Sequence, residues 1–227
     1  MIEGFYDLQN EVMNCNFVGC PYRGSWDSEK LSEHSLSNKW CWWFKNKFPC
    51  GKDVYYILFR YTGELNGVIV ALRPTGAWII DTANIYLANA LKRLGLVEER
   101  FAMEKDTFVY YDSRILVTDL IKCKGKAEEK IRDVPKPCLE FLKKELELVK
   151  KITGKEPVVI AMGGESERLL KKHRSALGIK NPIQRIPFHS YVYGRGRNEF
   201  GETAEERINK YAEEIKSAFS KAGLPIP

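Results

Sequence analysis

Ile115-Leu-Val-Thr-Asp-Leu-Ile-Lys-Cys123, followed after a lysine-rich loop by Cys138 and then by Pro157-Val-Val-Ile-Ala-Met-Gly-Gly164, is the stretch from which the fold can be read. Both runs are apolar over strand length, the pattern of a strand covered on two faces rather than one. Between them Leu139, Leu142, Leu146 and Val149 recur at helical spacing, and Phe141, Leu148 and Ile152 widen the stripe. Pro137 at the start and Gly154 at the stop suit such a helix. Strand, helix, strand is the repeating unit of a parallel sheet. The first run is expected to end in Cys123, so a thiol at a strand's exit and another at the next helix's entrance, Cys138, can face one point across a loop.

Working outward, Gly67-Val-Ile-Val-Ala-Leu-Arg-Pro74 reads as the first strand of that sheet. Tyr55-Tyr-Ile-Leu-Phe-Arg-Tyr61 precedes it, and the Gly63 and Asn66-Gly67 turn signals predict a hairpin feeding the sheet. A helix is predicted near residues 82–94, with Asp81 or Thr82 accepting the free amides of its first turn and Gly95 as its stop. The last helix opens on Thr203 and Glu206 in capping-box spacing and turns Ile208, Tyr211, Ile215, Ala218 and Phe219 inward. The pattern predicts one α/β domain, a three-layer sandwich with a short, mainly parallel central sheet flanked by helices. Residues 55–227 form its core and residues 1–54 an irregular, Cys/Trp-rich, metal-associated extension.

At 227 residues the chain can bury a full core without crosslinks. No basic leader precedes an apolar run, and no window approaches the roughly 18 apolar residues of a membrane span, so a cytoplasmic protein without a membrane partner is expected. In a reducing compartment its six cysteines point to metal ligands or buried thiols before disulfides. The net charge of +6 is modest, but Lys122, Lys124, Lys126, Lys130, Arg132 and Lys136 crowd one loop, and Arg195 and Arg197 follow His189. Two basic segments suggest a polyanionic partner, nucleic acid first, or else a solvated lysine-rich surface.

Three constellations carry chemistry. Cys15, Cys20, Cys41 and Cys50 share the N-terminal region with Trp26, Trp40, Trp42 and Trp43, and Cys123 and Cys138 form a distant pair. Four thiolates can hold a [4Fe–4S] cluster or a zinc ion, and the alternatives are buried free thiols or a Cys41–Cys50 disulfide. The loop Ile186-Pro-Phe-His-Ser-Tyr-Val-Tyr-Gly-Arg-Gly-Arg197 follows the last strand, where an open parallel sheet binds ligands. There His189 can donate to a developing anion, Ser190 can bond a phosphate, and Tyr191 or Tyr193 can wedge into a base stack. Gly194 and Gly196 allow close approach of the backbone. The turn Ala71-Leu-Arg-Pro-Thr-Gly-Ala-Trp78 offers Trp78 as a stacking face, and Asp81 is either a water-activating carboxylate or a helix cap.

Val117-Thr-Asp-Leu-Ile-Lys-Cys123, a basic loop, Cys138, a Leu-rich helix and Val158-Val-Ile-Ala-Met-Gly163 together resemble the uracil-DNA glycosylase superfamily, in particular its iron–sulfur-bearing thermophilic branch. The likeness covers roughly residues 55 to 222, with a shorter echo from Cys15 to Arg23. It implies a [4Fe–4S] cluster on Cys15, Cys20, Cys123 and Cys138, with Cys41 and Cys50 as alternatives to the first pair, and DNA carrying a damaged base as the partner of a monomer. Pro74 falls in the family's first motif, though Ala71 replaces its glycine, and His189-Ser190 falls on its His-Pro-Ser motif without the proline. Asp119 stands where the branch has an Asn reading the flipped base. An ionised carboxylate only accepts hydrogen bonds, so Asp119 is either protonated by burial or faces a base with N–H donors at that edge. The resemblance implies nucleotide flipping and hydrolysis of the N-glycosidic bond. In it Trp78 and Pro74 sit at the base, Tyr191 or Tyr193 in the vacated stack, Ser190 and Arg195 on the backbone, and His189, Asp81 and Asp119 at the reaction. A non-catalytic DNA-binding paralogue is the alternative.

Overall fold

The structure, a computed structural model, describes residues 4–13, 15, 59–72, 82–103, 107–122, 131–194 and 196–226. Its strands are β1 (Phe59–Tyr61), β2 (Gly67–Ala71), β3 (Val97–Met103), β4 (Thr107–Ser113), β5 (Leu116–Asp119), β6 (Val158–Met162) and β7 (Gln184–Ile186). Its helices are α1 (Phe5–Met13), α2 (Thr82–Arg93), α3 (Lys136–Thr153), α4 (Gly164–Lys172), α5 (His189–Tyr193), α6 (Arg197–Phe200) and α7 (Ala204–Lys221). Among the described residues no helix is long and apolar enough to cross a membrane.

The chain is an α/β protein built on a four-stranded, wholly parallel sheet in the order β5-β2-β6-β7. Successive side chains on a strand point to opposite faces, so residue parity sorts the core. Ile69, Ala71, Val117, Ile160 and Met162 pack with α2, α5 and α7, whereas Val68, Val70, Leu116, Val159 and Ala161 pack with α3 and α4. Helices therefore cover both faces, which is why these strands read as unbroken apolar runs. Gly67 lies where a Cβ would stand 2.8 Å from Ile115 and 2.9 Å from Phe219, so its missing side chain lets α7 close on β2.

The helix boundaries follow the expected chemistry. Gly154 takes φ 68°, a conformation that glycine adopts without steric penalty, and its N–H closes α3 on the Lys150 carbonyl. Thr203 and Glu206 form both halves of the capping box that starts α7.

Three expectations are corrected. Phe59–Tyr61, the described part of the run expected to form a hairpin with β2, does not do so: β1 lies parallel to β4 in a separate sheet, β1-β4-β3, whose β3 and β4 are antiparallel. Asn66 makes no turn because its side chain is spent on the Glu156 carbonyl at 2.6 Å while its own carbonyl accepts the Val158 N–H. The strand expected to reach Cys123 ends at Asp119. Leu120 and Ile121 still donate to the Ala71 and Leu72 carbonyls at 2.8 and 2.9 Å, and Lys122 then turns into the core. Residues 1–54 are not irregular throughout, since α1 is a helix that buries Phe5, Leu8 and Val12.

Candidate functional site at the carboxyl edge of the parallel sheet

From β2 the chain passes first to β5 on one side and then to β6 on the other, so the connections diverge at the carboxyl ends of β2 and β6. Such a divergence is where open α/β sheets bind ligands. Ala71 lies opposite Asp119, and Met162 opposite Ile186, so the four strands finish nearly level. With strands spaced about 4.8 Å apart, Asp119 and Met162 stand on the order of 10 Å apart across β2. Both belong to the parity class that faces α2 and α7, and both are buried. Ser166, at the start of α4, donates its hydroxyl to the Val70 carbonyl at 2.7 Å and so ties α4 to the end of β2.

His189 enters this edge from β7. Its Nδ1 lies 3.1 Å from the Met162 sulfur, and its ring packs against Phe188 with centroids 4.4 Å apart. A thioether only accepts, so this contact favours a proton on Nδ1; donation through Nε2 then requires a protonated ring or the other tautomer. The turn that delivers His189 is held twice. Gly163 donates to the Ile186 carbonyl at 2.9 Å, and Tyr211 of α7 donates to the Pro187 carbonyl at 3.0 Å. Burial raises the Tyr211 phenol well above its ordinary range, which keeps it a neutral donor.

Past His189, α5 carries the exposed large hydrophobic side chains of the described residues, Tyr191 at 42% and Tyr193 at 43% exposure. Each is braced. The Tyr191 hydroxyl donates to Glu199 at 3.0 Å, which raises its pKa, and the ring meets Phe200 edge-on. Tyr193 meets Tyr86 edge-on at 5.4 Å, and Tyr86 accepts from the buried Arg207 at 2.9 Å. Ser190 is exposed. Gly196 serves packing rather than an open approach, since a Cβ there would stand 3.0 Å from the Tyr191 carbonyl.

On the opposite face, Lys122, Glu145 and Thr118 form a buried group under Asp119. The Lys122 ammonium donates to Glu145 at 2.6 Å, to the Thr118 hydroxyl at 3.0 Å and to the Asp119 carbonyl at 2.7 Å, and Thr118 donates to Glu145 at 2.9 Å. Lys122 therefore does not belong to the exposed basic loop in which the sequence placed it. Neither Glu145, Ser166, Met162, Tyr86 nor Arg207 was anticipated as part of the site. Glu145 had a visible signal, a lone acid between Leu142 and Val149 on the inward stripe of α3.

Pro74, Trp78, Asp81, Arg195, Cys20, Cys41, Cys50 and Cys123 lie outside the described residues. Of the expected thiols, Cys138 is buried in the first turn of α3 and Cys15 packs against the cluster of Leu8, Val12 and Phe141. Glu11 pairs with Lys144, and the Gly4 backbone meets Leu148. α1 thus runs antiparallel along α3 and brings Cys15 toward the turn that carries Cys138. Two cysteines from distant segments thus approach the first turn of α3. Among the described residues no three His, Cys, Asp or Glu side chains gather as a metal site. No family model matches the chain, and no curated protein matches its sequence.

Proposed function

We propose that this protein is a DNA glycosylase that accepts a single extruded, damaged base, of the deaminated kind, at the carboxyl edge of its parallel sheet and hydrolyses the N-glycosidic bond. The observation that carries this reading is the arrival of Asp119 and His189 at the same edge and on the same side of the sheet, flanking its topological switch point. Asp119 meets the hydrogen-bonding edge of the base, and Trp78 and Pro74 flank the ring. As the C1′–N bond breaks, its electron pair passes to the base. His189, donating through Nε2, stabilises the charge that develops there. A water positioned by Asp81 adds its oxygen to C1′ and releases its proton to the carboxylate. Flipping costs roughly a few kcal/mol, which Tyr191 or Tyr193 offsets by filling the vacated stack, with Ser190, Arg195 and the basic loop on the phosphates. A [4Fe–4S] cluster on Cys15, Cys20, Cys123 and Cys138 would fix loop ends and supply no step of the reaction; zinc is the alternative.

The test is base release from oligonucleotides carrying uracil, hypoxanthine, xanthine or an oxidised base. Wild type is expected to release at least one of them, and His189→Ala to slow that release about 100-fold while remaining folded by circular dichroism. No release from the whole panel overturns the proposal. The enclosure of His189 between Phe188 and the Met162 sulfur favours one alternative, a DNA-binding protein without catalysis. It would bind DNA with a steep salt dependence and release nothing.

A further inference from the structure

We infer that Lys122 is a positioning residue: with Glu145 it grips the backbone of Asp119 from the far side of the sheet and holds the Asp119 side chain at the site edge. Parity places Thr118 and its partner Glu145 toward α3, and Asp119 toward α2 and α7. An ammonium has three donors, and here each has an acceptor: a carboxylate on α3, a hydroxyl on β5 and the carbonyl of Asp119 itself. Lys122 is 1% exposed and Glu145 0%. Desolvating such a pair is costly, and apolar replacements of similar volume are often no less stable, so stability alone is a weak reason to keep it. What an apolar residue cannot do is bond the Asp119 carbonyl. The same grip lies where the extended chain ends and Leu120 and Ile121 make their last bonds to β2.

The catalytic consequence rests on the glycosylase proposal, but the geometric one does not, and the tests separate them. Lys122→Met alone strands a buried anion and is expected to destabilise the whole chain strongly, so the working variant is Lys122→Met with Glu145→Gln, which keeps an acceptor for Thr118. By amide hydrogen exchange, Leu120 and Ile121 are expected to exchange only with global unfolding in wild type and much faster than the β6 core in the double variant. Local exchange of these amides in wild type, or unchanged exchange in the folded variant, overturns the inference. In base release the variant is expected to lose about 100-fold in kcat with little change in KM, as misplacement of a reacting group by about 1 Å does. Wild-type kcat in the variant also overturns it. A wild type silent on every substrate refutes the glycosylase proposal and leaves amide exchange to decide the geometry.

Discussion

In the four-stranded parallel sheet the strands are sealed by helices on both faces, and Asp119, with the Lys122–Glu145 pair behind it, stands at the carboxyl edge. In the three-stranded sheet charge runs along the strands and over the surface. Asp112 takes Arg60 at 2.5 Å and Arg100 at 3.0 Å, Arg100 reaches Glu98 at 2.7 Å, and Lys92 reaches Glu99 at 3.0 Å. A charge costs little beside solvent and several kcal/mol inside a sealed layer. Charge in the first sheet therefore carries a cost that charge in the second does not.

That contrast can be broken by substitution. The largest loss is expected from Lys122→Met, which leaves Glu145 buried without its cation: about 3–5 kcal/mol by urea denaturation, most of it restored by adding Glu145→Gln. Ile69→Ala, at the centre of the sealed sheet, is expected to cost about 3 kcal/mol through lost burial and a residual cavity. The alkaline limit is shared between Tyr211, which α7 packs against the first sheet, and the phenols of the second sheet. Tyr111 on β4 is raised to about 12, by burial first and then by Glu99, and burial raises Tyr61 on β1 as well. A raised folded pKa contributes stability that is complete below the unfolded value near 10 and is lost as pH climbs through the folded one. Tyr111→Phe is expected to remove about 1 kcal/mol of that loss by pH 12, after allowing for solvent screening. Arg100→Ala should change stability by less than about 1 kcal/mol, and less still in high salt.

The same contrast explains what was legible in the residues alone. β2, β5 and β6 announced themselves because two-sided burial demands unbroken apolar runs, and α3 and α7 because one-sided burial demands a helical stripe. Val97-Glu-Glu-Arg-Phe-Ala-Met103 met neither demand, since a sheet with charged surfaces tolerates mixed sequence, and the β3–β4 hairpin went unseen. β1 was assigned to the wrong partner because its pairing with β4 spans about fifty residues, and no local pattern encodes it. At the site, His189 and Asp119 were visible as polar residues at strand ends. The Met162 contact, the Tyr211 bond to Pro187 and the grip of Lys122 depend on which strands become neighbours, which topology decides. Read as one of a row of lysines, Lys122 looked like surface; its place directly after an apolar run, paired with a lone acid on an apolar stripe, was the better clue.

If the carboxyl edge holds an extruded base against Asp119, its side chain must set which base is preferred. The most direct measurement is the ranking of single-turnover release rates across uracil, hypoxanthine, xanthine and oxidised-base oligonucleotides for wild type and Asp119→Asn. An amide both donates and accepts, so the substitution is expected to raise uracil relative to the base that wild type prefers by about tenfold or more. An unchanged ranking, with rates scaled equally for all substrates, would place Asp119 away from the base and contradict the proposed site.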